Sequence, residues 1–156
     1  MNRKNILFFS LLIFLINCEE KSKLELSQNK IIEYKVDCLF CKIPQNKETI
    51  IYAKFEHCFV IKDIKPVSPG HVLVIPYKHY DNWLVTPEHV QIGIVRAINE
   101  IKKLLDAEYH PDGYNIGINC GPLAGQTVMH LHVHVMPRYK GDNMTLKQVY
   151  SNSAKQ

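Results

Sequence analysis

Val128 to Met136 reads Val-Met-His-Leu-His-Val-His-Val-Met. An extended chain sorts this run cleanly, because successive side chains of a strand point to opposite faces and residues two apart stand about 6.6–7 Å from one another. His130, His132 and His134 then share one face, and Leu131, Val133 and Val135 share the other. The aliphatic face demands a core. The histidine face cannot be fully charged, since neighbouring imidazolium ions repel and burial disfavours the charged form. Neutral imidazole is a nucleophile, a base or a metal ligand. A single three-histidine zinc site fits poorly, because imidazoles at strand spacing do not converge on one ion and no Glu or Asp stands nearby to activate water.

The rest of the chain supplies what such a strand needs. At 156 residues, 46% hydrophobic and 22% charged, it is one domain's worth of ordinary globular composition. That composition excludes a disordered chain, a collagen-like fibre and a multispanning membrane protein. The net charge of +4 is spread along the chain. It suits an anionic small molecule and gives no basic block for nucleic acid.

Ile50–Lys54, Cys58–Lys62 and Val72–Ile75 read as short strands, with a Pro/Gly loop over 66–70. Thr86-Pro87 reads as the N-cap and first position of a helix. Val90, Ile94, Ala97, Ile98, Ile101, Leu104 and Leu105 follow at helical spacing and form its core face. Pro111-Asp112-Gly113 turns the chain. Tyr114, Ile116 and Ile118 alternate with polar or small residues as a half-buried strand, and Val128–Met136 is the last strand. Five strands with one long helix before the fourth predict an α+β fold with a largely antiparallel sheet and a short helical segment at its start. Between the last two strands, Asn119-Cys120-Gly121-Pro122-Leu123-Ala124-Gly125-Gln126-Thr127 reads as a glycine-rich loop. Such a loop lets backbone amides approach an anion.

The N-terminus has a separate logic. Arg3 and Lys4 precede an apolar run from Ile6 to Ile16, broken only by Ser10. Eleven helical residues span about 16 Å, too short for a ~30 Å bilayer core but suited to a secretory signal. The run ends at Leu15-Ile16-Asn17-Cys18, which resembles a bacterial lipobox with Asn17 in place of the usual small residue. The expected division is a signal peptide over 1–17, lipidation of Cys18, a polar tether over 18–36, a domain over 37–142 and a polar tail over 143–156. The expected location is extracytoplasmic, anchored to a membrane by lipid, with a cytoplasmic chain as the alternative.

The motif His130-Leu131-His132-Val133-His134-Val135-Met136 resembles that of the histidine triad (HIT) family. Ile61-Lys62-Asp63-Ile64, Pro69-Gly70-His71-Val72-Leu73-Val74-Ile75-Pro76, Lys78-His79 and Asp112 to Asn119 extend the resemblance across about Cys38–Asp142. It implies a HIT-like fold, a homodimer and a nucleotidyl hydrolase or transferase acting at the α-phosphate of a nucleotide. His132 would be the nucleophile, His134 a phosphate contact and Gln126 a bridge to the leaving or attacking group. Asn119, Gly125 and Thr127 would contact phosphate, Asp63 would accept from ribose hydroxyls, and Ile61 and Ile64 would line the base pocket. His71 would support the triad from behind. Cys38-Leu39-Phe40-Cys41 resembles the family's Cys-x-x-Cys branch, which implies structural zinc on Cys38, Cys41, His79 and His130. An oxidising compartment would instead favour a Cys38–Cys41 disulfide. Phosphoramidates and dinucleoside polyphosphates are rival substrate classes. The competing reading from another class is a nucleotide- or metal-binding surface lipoprotein with little turnover.

Overall fold

Strands that are apolar on both faces need cover on both sides, and the computed structural model supplies it. It describes residues 34–46, 50–142 and 145. The signal, most of the tether, Cys18 and nearly all of the tail therefore lie outside the described residues. The elements are α1 (Leu39–Lys42), β1 (Ala53–Lys54), β2 (Cys58–Lys62), β3 (Val72–Pro76), α2 (Glu88–Tyr109), β4 (Gly113–Gly117) and β5 (Val133–Arg138). Every pairing is antiparallel, in the order β1-β2-β3-β5-β4. This is the expected α+β fold, and no helix among the described residues is long and apolar enough to cross a membrane.

One face of the sheet packs on α2. Val90, Ile94, Ala97, Ile101 and Leu105 meet Cys58, Val60, Val72, Val74, Leu131, Val133 and Val135 in one buried cluster. The other face carries Phe59, Ile61, Leu73 and Ile75, covered by Cys38, Phe40, Cys41 and Ile43 from α1 and its flanks. The alternation read from β5 is thus real, and it assigns its aliphatic side chains to the α2 face.

Some boundaries differ from expectation. The first strand contracts to two residues, although Tyr52 N–H still bonds Val60 O at 2.7 Å. α2 begins one residue late, with Pro87 as N-cap, because Thr86 Oγ1 donates to Asn82 O at 2.8 Å instead of capping. Leu104 is half exposed, outside the core face. The last strand begins at Val133 rather than Val128. Before it, His130 N–H closes a bend on Val128 O, and Leu131 N–H bonds the distant Tyr80 O at 2.6 Å. Only His134 of the three histidines therefore belongs to the ladder, where it pairs with Leu73 and Gly117.

Gly70 completes the loop over 66–70 with φ +80. A Cβ there would stand 2.9 Å from the Tyr109 ring, so the tight turn and the seat of the helix end both require glycine.

Candidate active site and metal centre

The bend before β5 splits the three histidines between two jobs. His130 turns toward α1: its Nδ1 lies 3.3 Å from Cys38 Sγ and 3.5 Å from Cys41 Sγ, and His79 Nδ1 lies 3.4 Å from Cys41 Sγ. All four residues are buried. Tetrahedral zinc with Zn–S of ~2.3 Å and Zn–N of ~2.0 Å sets sulfur–nitrogen edges of about 3.5 Å. The donor set and its spacing fit such an ion. The outer nitrogens fit as well. His130 Nε2–H donates to Pro76 O at 3.0 Å and His79 Nε2–H to Asp81 Oδ1 at 3.1 Å, which leaves both Nδ1 lone pairs facing the sulfurs. Cys38 and Cys41 are free thiols here, and burial pushes the Cys41 thiol up.

His132 lines a cavity of about 840 Å³ on the α1 face of the sheet. Leu39, Phe40, Ile43, Ile61, Leu73 and Val128 form apolar walls, with Ile64, Thr127 and Asp63 also on its surface. Its Nδ1–H donates to the backbone carbonyl of His130 at 2.8 Å. That bond fixes the tautomer and leaves a lone pair on Nε2. Burial holds the ring's pKa down, so Nε2 is available at neutral pH. Phe40 packs in T-shaped contact with both His130 and His132, with centroids 5.9 and 5.2 Å away.

Behind His132 lies His134, ring centroids 5.1 Å apart. His134 Nδ1 is 3.0 Å from His71 Nε2, and Asp63 Oδ2 is 3.5 Å from His71 Nε2 and 3.8 Å from His134 Nδ1. These three atoms could surround an ion. However, the backbone N–H of Val67 points at His71 Nδ1, which puts that neutral ring's proton on Nε2, where a metal would need a lone pair.

The loop residues are placed differently from expectation. Gln126 is buried and its amide is committed to the fold: Oε1 accepts from Gly121 N–H at 2.8 Å, and Nε2 donates to Asp81 O at 2.5 Å and Val128 O at 3.0 Å. Asn119 Nδ2 donates to Gly125 O at 3.2 Å. The amides of Ala124, Gly125 and Gln126 also bond back within the loop. The amides of Gly121, Ala124, Gly125 and Gln126 thus close the loop, and Thr127 is the loop residue on the cavity wall. Asp63 lines the cavity, yet its carboxylate is shielded from solvent, with Oδ1 accepting from Lys65 N–H at 2.8 Å and Oδ2 turned to the histidines. The expected ribose acceptor faces inward.

His57 and His89 pack on each other away from this site, and His110 caps α2 in the left-handed region. Cys58 is fully buried, its thiol pushed up to about 12 by desolvation. Asp81 had no signal in the sequence. Its role rests on His79, two residues earlier, and on a backbone carbonyl that sequence cannot aim.

Burial pushes His134 down to about 3 and lowers His71 as well, despite the opposing pull of Asp63. The unfolded chain binds protons at these histidines near pH 6.5, before the folded chain does. Stability is therefore full above about pH 6.5 and falls as pH drops toward about 3, by a few kcal/mol in order of magnitude. Urea unfolding followed across that window measures the loss. A flat profile from pH 7 to 4 would contradict the neutral-histidine cluster.

The HIT domain family model matches residues 44–141. An uncharacterised HIT-like protein of Methanocaldococcus jannaschii is 37% identical over 112 residues, 70% of this chain and 85% of its own. The asymmetrical bis(5'-nucleosyl)-tetraphosphatase of Schizosaccharomyces pombe is 34% identical over 74% of this chain and 63% of its own. The crystal structure of a zinc-bound histidine triad family protein from Mycobacterium smegmatis superposes with a TM-score of 0.65 at 31% identity, covering 76% of this chain and 94% of its own.

Proposed function

The chain belongs to the HIT domain family, and from that membership we propose that it is a nucleotidyl hydrolase or transferase working through a covalent nucleotidyl-histidine. The observation that carries this reading is His132, with Nδ1–H held by the His130 carbonyl and its Nε2 lone pair in a ring on the cavity wall. Nε2 attacks the α-phosphorus as the bond to the leaving group breaks, and the leaving group takes a proton from water. The phosphorylated ring carries positive charge, which the short bond from Nδ1–H to a carbonyl stabilises. Water, or another acceptor, then attacks phosphorus, loses its proton, and returns the electron pair to Nε2. His134 and Thr127 contact the phosphate oxygens, and the apolar walls with Ile61 and Ile64 take the base. Gln126 and Asn119 serve by pinning the loop that presents Thr127.

Zinc fits Cys38, Cys41, His79 and His130 as a closed structural site: four protein ligands leave no position for a reacting water. When bound, the ion supplies cross-linking of α1 to the sheet. A homodimer, lipidation at Cys18 and an extracytoplasmic location remain parts of the proposal, and the mass of the native N-terminal peptide reads the lipid directly.

The test of function is a substrate panel of adenosine 5'-phosphoramidate and dinucleoside polyphosphates on purified protein. Many turnovers per chain with release of nucleoside monophosphate is the expected result. The phosphatase relative keeps the dinucleoside class in the panel. Stoichiometric nucleotide binding without turnover would support a binding protein instead.

A further inference from the structure

His79, Tyr80 and Asp81 form a short stretch between β3 and α2 that faces two ways. The His79 side chain reaches Cys41, with Nδ1 3.4 Å from Sγ. The Asp81 side chain turns back on it, Oδ1 accepting from His79 Nε2–H at 3.1 Å. The backbone of the same stretch holds the segment before β5. Tyr80 O accepts from Leu131 N–H at 2.6 Å, and Asp81 O accepts from Gln126 Nε2–H at 2.5 Å. His79 and His130 thus each adjoin one end of the Tyr80–Leu131 bond, with ring centroids 4.9 Å apart.

Gln126 carries the connection into the glycine-rich loop. Its Oε1 accepts from Gly121 N–H at 2.8 Å, and its Nε2 also donates to Val128 O at 3.0 Å. That grip brackets Thr127, which stands between Gln126 and Val128 on the cavity wall. Where Asp81 stands therefore sets where Thr127 stands. The Asp81 side chain is 61% exposed, so its bond to a neutral imidazole adds little by itself. A divalent ion on His79 Nδ1 draws electrons from the ring and makes Nε2–H a stronger donor to the carboxylate. We propose that Asp81 is a positioning residue that couples metal occupancy at Cys38, Cys41, His79 and His130 to the order of the loop over 121–127. Its side chain holds the metal-ligand histidine, and its backbone carbonyl holds Gln126.

The coupling rests on the zinc reading of the four-ligand site and on Thr127 as a phosphate contact. It runs in both directions, because an ion that orders the loop binds more tightly when the loop is already ordered. It also gives the metal a second path to the reaction. The His130 carbonyl reaches the nucleophile, whereas Asp81 reaches the phosphate side of the cavity.

The experiment compares the purified wild-type chain with Asp81→Ala and Asp81→Asn, each with excess zinc and with zinc chelated away. Amide hydrogen exchange is read at Gly121, Ala124, Gly125 and Gln126, whose N–H groups bond within the loop. Zinc affinity is read by competition with a chromophoric chelator. Wild-type loop amides should exchange about 10-fold more slowly with zinc than without it. In zinc-loaded Asp81→Ala they should exchange about as fast as in the chelated wild type, while the amides of β2 and β3 keep wild-type protection. Zinc affinity should fall about 10–100-fold in Asp81→Ala. Asp81→Asn keeps an oxygen that accepts from His79 Nε2–H and should recover most of both losses. Gln126→Ala cuts the other end of the connection without touching a ligand, and should weaken zinc about 5-fold. A wild-type loop that ignores zinc overturns the proposal, as does protein that binds no zinc or an unchanged affinity in Gln126→Ala. An Asp81→Ala loop that still slows about 10-fold on adding zinc shows a purely structural role and also overturns it. Should Asp81→Ala fail to fold, the wild-type response and Gln126→Ala still decide. If the loop answers zinc through Asp81 while the wild-type chain turns over no nucleotide, the coupling stands and the enzymatic reading fails. Turnover by a chain whose loop ignores zinc leaves the enzymatic reading standing and the coupling overturned.

Discussion

His132→Ala should abolish turnover, with a loss of at least roughly a thousandfold in kcat, and leave nucleotide binding and folding largely intact. The proposed covalent route has one nucleophile, and the geometry offers no substitute. His130 has its Nδ1 at the sulfurs and its Nε2 on Pro76 O. His134 has its Nδ1 against His71. Among the three, His132 alone combines a place on the cavity wall with a carbonyl-fixed Nδ1–H. A mass increase of one nucleotidyl group on wild-type protein quenched during turnover, absent from His132→Ala, identifies the intermediate. The phosphorus–nitrogen bond should be lost in acid and kept in base. If His132→Ala keeps near wild-type rates while His134→Ala does not, the nucleophile has been misassigned.

What could be read from residues alone follows from how local each feature is. The α+β architecture was legible because Val90, Ile94, Ala97, Ile101 and Leu105 keep helical spacing and because β2 and β3 are apolar on both faces. The face of each triad residue was legible for the same reason. The start of β5 was not, since the chain leaves the ladder through a bond between Leu131 N–H and Tyr80 O, about fifty residues apart in sequence. The inward turn of Asp63 was hidden likewise: it follows from an N–H two residues on, a histidine just before β3 and another in β5. The role of Gln126 as a bridge to the leaving or attacking group came from resemblance alone, which says nothing of where its amide points. The structure commits it to Asp81, Val128 and Gly121. The candidate metal ligands were legible only through resemblance, as Cys38 and His130 lie 92 residues apart.

Zinc should be present at about one ion per chain in freshly purified, reduced protein, and its removal should cost more than any single surface contact could. A four-residue helix has no stability of its own. α1 owes its place to burial of Phe40 and Cys41 and to whatever joins Cys38 and Cys41 to the sheet. With zinc bound, that joint is four bonds from one helix, one loop and the approach to β5. Without it, two buried thiols and two buried neutral imidazoles keep only weak sulfur–nitrogen hydrogen bonds. Burial holds His130 down to about 4, so this ring is ready for a metal at neutral pH, whereas the Cys41 thiol is pushed up and must lose a proton as zinc enters. Zinc uptake should therefore release protons and weaken as pH falls. A strong chelator should lower Tm by about 10–20 °C, equivalent to roughly 3–5 kcal/mol in a domain of this size. Cys41→Ala should match the chelated protein and fail to regain stability with added zinc. The effect should reach catalysis, because the backbone carbonyl of His130 is what orients His132. Cobalt in place of zinc should give the visible absorption of a tetrahedral thiolate site, lost in Cys41→Ala. Reduced protein that carries no metal, and whose Tm ignores both chelator and zinc, would refute the site. A Cys38–Cys41 disulfide in protein taken from its native compartment would instead assign these sulfurs to redox chemistry.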